Sequence, residues 1–167
     1  MTSVPDDDEL YEVAYQLGRR LTDQGSWLAI AESCTGGWLG KILTDVKGSS
    51  HWFDRGFITY TNQAKHELLG VSEETLAENG AVSEATALEM ARGVIAHSHA
   101  DYSVAITGIA GPGGASHDKP LGTVWLAWAG ANDFVHSECY HFQGNREQVR
   151  RQAVQSAALG VIKHCLK

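Results

Sequence analysis

Two residues of this chain carry groups that can do nucleophilic chemistry together if the fold brings them close. Ser33 lies in Glu32-Ser33-Cys34-Thr35-Gly36-Gly37. The short apolar run Trp27 to Ala31 precedes it, and helical periodicity follows from Trp38 to Val46. The order is strand, tight turn, helix. A hydroxyl there sits at the mouth of a sheet, beside helix N–H groups suited to the oxyanion formed when an amide is attacked. The arrangement is akin to a nucleophile elbow, although G-x-S-x-G is absent. The plainer role for Ser33 or Thr35 is to cap a helix.

A serine hydroxyl needs a base. The chain has eight histidines, but His97, His99, His136, His141 and His164 fall at helix ends or on a hairpin, and His117 lies in an open loop. Lys65 is the better candidate. It follows Tyr60-Thr61-Asn62-Gln63-Ala64, in the first turn of a helix. Burial and the positive end of a helix both disfavour its charge, and the neutral amine is the form a general base requires. Taken alone, Lys65 also fits an exposed position on a solvated helix face. Tyr60, at a strand end, either reaches the same pocket or packs. Cys34, a conceivable rival nucleophile at a helix start, reads more simply as a small buried residue.

Two further features can hold a ligand. Thr107-Gly108-Ile109-Ala110-Gly111-Pro112-Gly113-Gly114 suits close backbone approach, yet matches neither a dinucleotide fingerprint nor a Walker A loop. Gly36 to Lys41 also fails the Walker spacing, with Ile42 where a magnesium-binding hydroxyl belongs. Arg146 opens the last helix after Gly144-Asn145, where a guanidinium and helix N–H groups can share a phosphate. Arg146, Arg150 and Arg151 also fit a solvated face.

The elements that must position these residues follow from periodicity. Leu10, Val13, Ala14, Leu17 and Leu21 predict an amphipathic first helix. Phe53 to Tyr60 and Asp101 to Thr107 predict two more strands, with a helix over 62–69 between them. Ser83 caps a helix whose Ala87, Leu88, Ala91 and Ile95 share a face. Leu121 to Ala129 and Phe134 to Phe142 flank the turn Gly130-Ala131-Asn132-Asp133, a hairpin signal. The last helix runs from Asn145 to about Ile162. The expected fold is a three-layer α/β/α domain on a mixed sheet with a late β-hairpin, one domain over 1–167. In such folds ligands sit where strands give way to helices.

Composition excludes several alternatives. With 167 residues, 43% hydrophobic and 20% charged, the chain has the make-up of an ordinary globular domain. Its net charge of -7 argues against nucleic acid as a partner. No apolar run approaches a membrane span, and three cysteines without a CxxC suit a reducing compartment. The expected localisation is cytoplasmic.

Several blocks in one order carry a resemblance. Ala31 to Gly37, Gly48-Ser49-Ser50, Tyr60 to Lys65, Gly80-Ala81-Val82-Ser83-Glu84, Thr107 to Gly114 and Lys119-Pro120-Leu121-Gly122-Thr123-Val124 together resemble the CinA C-terminal-domain family over nearly the whole chain. Larger CinA proteins carry an additional N-terminal domain, so the chain looks like the stand-alone form, a nicotinamide-nucleotide amidohydrolase. The resemblance implies hydrolysis of the carboxamide of nicotinamide mononucleotide to nicotinic acid mononucleotide and ammonia. It implies Ser33 as nucleophile, Lys65 as base and Tyr60 in support. Thr35, Gly36, Gly37, Thr107, Gly108 and Arg146 are then the expected substrate-binding positions. No metal or cofactor is implied, and a homodimer or other homo-oligomer is the expected assembly. The alternatives are a non-catalytic nucleotide-binding paralogue that keeps the pocket, and an amidase for another carboxamide. Gln143, Asn145 and the segment Ala115-Ser116-His117-Asp118 depart from the family pattern. Asn caps a helix about as well as the expected Asp.

Overall fold

The computed structural model describes residues 3–167. The first helix, α1 (Asp7–Gln24), begins with a reciprocal cap in which the Asp6 carboxylate accepts from the Glu9 N–H and the Glu9 carboxylate from the Asp6 N–H. Its apolar stripe Leu10, Val13, Ala14, Leu17 and Leu21 is buried. The chain continues through β1 (Leu28–Glu32), α2 (Trp38–Thr44), one 3₁₀ turn (Ser49–His51), β2 (Phe53–Ile58), α3 (Asn62–Leu69), α4 (Glu73–Asn79) and α5 (Glu84–Ala96). Then come β3 (Tyr102–Gly108), β4 (Thr123–Ala129), β5 (Val135–His141) and α6 (Arg146–Gly160), which passes into a π-helical turn (Val161–Cys165).

Five strands form one sheet in the order β2-β1-β3-β4-β5. The first three are parallel, β4 runs antiparallel to β3, and β5 runs antiparallel to β4. This is the mixed sheet with a late hairpin that the sequence pattern predicts. At the hairpin turn Asn132 and Asp133 both take left-handed φ, 60° and 57°, a conformation these two residue types tolerate.

The central strands sort their side chains by size. Leu28 and Ile30 of β1, Val104 and Ile106 of β3, and Val124, Leu126 and Trp128 of β4 pack on one face with α1, α2 and α6. Ala29 and Ala31, Ala105, and Ala127 and Ala129 face the other side, where α5 lies with Ala87, Met90, Ala91 and Val94. Small strand residues let that helix approach closely, and the period of two puts each set on one face. Gly93 of α5 marks a separate close contact, with the end of α3: a Cβ there would lie 2.1 Å from Leu69 O.

Strands β2, β4 and β5 are each shorter by two residues than the periodicity predicts, and other differences have a visible cause. Trp27 stands outside β1 because its N–H donates to the Asp101 carboxylate at 2.8 Å. Helix α4 has no counterpart in the sequence reading, since Leu76 is its one buried residue and Ser72 its cap. The last α-helix gives way to the π turn at Val161.

Candidate active site

The carboxyl ends of β1, β2 and β3 lie side by side, and each is followed by residues of one cavity. Ser33 comes directly after β1, Tyr60 lies two residues past β2, and Gly108 closes β3. The cavity, of about 340 Å³, is lined by Ser33, Cys34, Tyr60, Lys65, the Ala81-Val82 segment, Thr107 through Gly114 and Arg146. That volume suits a small-molecule ligand.

At its base Lys65 is fully buried. Thr61 caps α3 by accepting from the Ala64 N–H, and this fixes the first turn that carries Lys65. The Lys65 Nζ lies 3.0 Å from Ser33 Oγ, 2.8 Å from Thr59 O and 3.4 Å from Tyr60 O. Among the described residues Lys65 takes part in no ion pair. Burial lowers its pKa from the ordinary 10.5 to about 8. A Cys34 thiolate would oppose that shift, but burial pushes the Cys34 thiol up to about 12, so it stays protonated and is no competing nucleophile.

The three partners of Nζ also orient the neutral amine. A neutral amine has two N–H donors and one lone pair. Two of its partners, Thr59 O and Tyr60 O, can only accept. The lone pair therefore faces the Ser33 hydroxyl, the one partner able to donate a proton. A neutral amine so held is within hydrogen-bond reach of the Ser33 proton.

The turn after Ser33 is organised differently from the expected anion nest. Glu32, 2% exposed, turns its carboxylate into the start of α2, with Oε1 accepting from the Leu39 N–H at 2.9 Å and Oε2 from the Gly40 N–H at 3.0 Å. The helix N-terminus is thus occupied by a side chain of the chain itself. The Gly36 N–H donates to Ser33 O and the Trp38 N–H to Thr35 O. Among the described residues Cys34, Thr35 and Gly37 keep N–H groups without a backbone acceptor, and of these only Cys34 lines the cavity.

Thr35, Gly36 and Gly37 lie away from the cavity. Left-handed φ at Gly36 (59°) and Gly37 (107°) turns the chain toward a separate depression with Trp38, Lys41, Arg150 and Arg151. The Thr35 side chain is fully buried. Arg150, which donates to Thr35 O, and Arg151 both stack over the Trp38 ring.

The remaining candidates divide by role. Thr107 lines the cavity, but its hydroxyl donates to Ala81 O at 2.8 Å, which holds the Ala81-Val82 wall in place. Gly108 is required by the sheet, since a Cβ there would lie 2.6 Å from a Val124 methyl. Tyr60 is 62% exposed, and its hydroxyl meets Arg146 Nη2 at 3.4 Å rather than the Ser33–Lys65 pair. Only its carbonyl reaches Lys65. Arg146, exposed at the start of α6, donates through Nη1 to Gly111 O at 2.8 Å and forms the cationic rim. Sequence reasoning missed Thr59, whose carbonyl orients Lys65, and the Ala81-Val82 wall, signalled only by the Gly80-Ala81-Val82-Ser83 block. It also gave Glu32 no role.

Fold and site together define a three-layer α/β/α protein with a buried hydroxyl–amine pair where its parallel strands end. The chain belongs to the CinA family: the family model described as CinA C-terminal domain matches residues 10–166. It is 52% identical over 153 residues to "Nicotinamide-nucleotide amidohydrolase PncC" of Escherichia coli (strain K12), covering 90% of this chain and 92% of the relative. It is 50% identical to a "CinA-like protein" of Syntrophobacter fumaroxidans over 143 residues, 86% of this chain but 34% of that longer protein. Among solved structures, the competence/damage inducible protein CihA from Agrobacterium tumefaciens superposes with a TM-score of 0.90 at 43% identity, covering 98% of each chain.

Proposed function

We propose that this chain hydrolyses the carboxamide of nicotinamide mononucleotide, giving nicotinic acid mononucleotide and ammonia, with Ser33 as nucleophile and Lys65 as general base and acid. The observation that carries the mechanism is the 3.0 Å contact between a buried Lys65 Nζ and Ser33 Oγ. The similarity to amidohydrolases named for nicotinamide nucleotides carries the substrate.

The neutral Lys65 amine takes the Ser33 proton as Oγ bonds to the carboxamide carbon. The oxygen of the tetrahedral intermediate accepts from the Cys34 N–H. As the C–N bond breaks, the Lys65 ammonium returns the proton to the departing nitrogen, which leaves as ammonia. Water then attacks the acyl-serine, giving its proton to Lys65, and the same proton passes to Ser33 Oγ as the acid departs. Arg146 takes the substrate phosphate at the rim beside Tyr60, and the Gly-rich loop brings main chain against the ligand. No helix of the described residues is long and apolar enough to cross a membrane, and all of these steps take place in a solvent-facing cleft.

Incubation of the purified chain with nicotinamide mononucleotide, beside Ser33→Ala, tests the proposal. Ammonia from the wild type and none from Ser33→Ala is the expected result. Ammonia from both would discard the nucleophile. Binding without turnover by folded wild type would replace the enzyme with a nucleotide-binding paralogue.

A further inference from the structure

On the sheet edge away from the catalytic cavity, three metal-ligating side chains converge. His136 and Glu138 alternate on β5 and so point to one face of the strand. His164 comes from the π-helical turn that follows α6. Glu138 Oε1 lies 3.1 Å from His136 Nε2 and 2.9 Å from His164 Nε2. One ligand atom from each residue falls within 4.8 Å of the other two. None of the three lines the Ser33 cavity.

We propose that His136, Glu138 and His164 form a binding site for a divalent zinc-class metal ion, with the fourth position open to water. Two imidazole nitrogens and one carboxylate oxygen are the donor set of three-ligand zinc sites. A tetrahedral ion about 2.0–2.1 Å from each donor needs those donors about 3.3–3.4 Å apart. The two separations to Oε1 are within a few tenths of an ångström of that spacing, so small ring rotations complete the geometry.

The surroundings support the same assignment. The Tyr140 hydroxyl donates to the other Glu138 oxygen, which fixes the carboxylate as outer-shell partners of metal ligands do. The two imidazoles lie 4.0 Å apart, centroid to centroid, over the buried Trp128 ring, so packing sets their orientation. Lys163 Nζ, 3.9 Å from Oε1, is on a side chain 73% exposed and can swing into solvent. A half-exposed cluster leaves the ion a route in.

The π turn has a physical role here. A continued α-helix would rotate His164 by a different angle, and the wider turn presents it to β5. An ion bound by β5 and this turn clips the turn to the sheet edge. Its effect is on stability, since binding to the native state alone shifts unfolding by mass action.

The test uses the full chain, stripped with chelator and dialysed. Zn²⁺ is titrated against a chromophoric competitor, and Co²⁺ is added separately for its visible spectrum. One Zn²⁺ per chain, a tetrahedral Co²⁺ spectrum and a raised thermal midpoint are expected for the wild type. Glu138→Gln and His164→Gln each lose at least about tenfold in affinity. Tyr140→Phe, which keeps all three ligands, loses about tenfold through the outer shell. His97→Gln, a histidine outside the cluster, binds as the wild type does. Ammonia release from nicotinamide mononucleotide is unchanged by Zn²⁺ at stoichiometric loading. Absence of wild-type binding at about 100 μM Zn²⁺, or equal binding by wild type, Glu138→Gln and His164→Gln, overturns the site. Where a ligand variant folds poorly, the loss in Tyr140→Phe, which keeps every ligand, still ties the ion to this cluster, and undiminished binding by Tyr140→Phe then overturns it.

Discussion

The pH dependence of turnover tests the role of Lys65 most directly. Burial brings the ammonium from 10.5 to about 8. At pH 7 about 10% of the protein then carries the neutral amine, against about 0.03% for an unperturbed lysine, a gain of roughly 300-fold in available base. The rate constant kcat/KM for nicotinamide mononucleotide therefore rises about tenfold between about pH 7 and pH 9.5, on a single limb with its midpoint near 8. The substrate does not obscure this limb, because a phosphate monoester has its second pKa near about 6. Cys34 stays protonated throughout, as its thiol is pushed up to about 12. The assay follows ammonia release at substrate concentrations well below KM, where the profile reports the free enzyme. Lys65→Arg keeps a cation at every pH and shows no turnover. A level profile across this range, a midpoint near 10.5, or activity in Lys65→Arg would refute the argument that a buried neutral lysine is the base.

The same burial has a stability signature. Below about pH 8 the folded protein holds a charged lysine that the unfolded chain solvates better, and the penalty disappears as pH rises toward 10.5. Wild type should thus gain about 3 kcal/mol relative to Lys65→Met over that window in urea unfolding, and a constant difference between them would count against the shift. Glu32→Ala strips the acceptor from two N–H groups at the start of α2 and should cost about 2–4 kcal/mol in the same experiment; a loss under about 1 kcal/mol would mean that water replaces the carboxylate. Arg146→Met should raise KM for the mononucleotide by about 10- to 100-fold while leaving KM for nicotinamide riboside, which lacks the phosphate, nearly unchanged. Equal effects on both substrates would move the phosphate elsewhere.

The layered fold was legible because its signals are periodic. The stripe of α1 and the alternation of large residues with alanine on β1, β3 and β4 depend on which residues recur, and that is visible in the chain. The β4–β5 turn needed left-handed residues and had Asn132 and Asp133 at the required place. Helix α4 was not legible because its single buried side chain, Leu76, sets up no period. The joining of His136, Glu138 and His164 was equally hidden. It depends on a π turn, and a one-residue change of helical winding leaves no pattern in the sequence. Each of these histidines, taken alone, reads as an ordinary surface residue.

At the cavity, residue type located Ser33 and Lys65, but the vacancy of hydrogen-bond donors could not be read. A strand–turn–helix with glycines promises free N–H groups for an anion, and the turn after Ser33 has that pattern. The N–H groups at the start of the helix beyond that turn are taken by a residue on the other side of Ser33. Glu32 ends β1 pointing away from the α5 side, and its carboxylate reaches the start of α2 at the distance of a charge-assisted hydrogen bond. A charge buried at 2% exposure demands such partners, so the helix dipole stabilises Glu32 rather than a ligand. That consequence bears on chemistry. The Cys34 N–H remains the turn's donor to the cavity, and burial first of all keeps the Cys34 thiol protonated, with the Glu32 charge adding to it. Cys34 stays protonated, and Lys65 Nζ is the amine within reach of the Ser33 hydroxyl. Glu32 thus anchors the start of α2 next to the Ser33–Lys65 pair without lining their cavity.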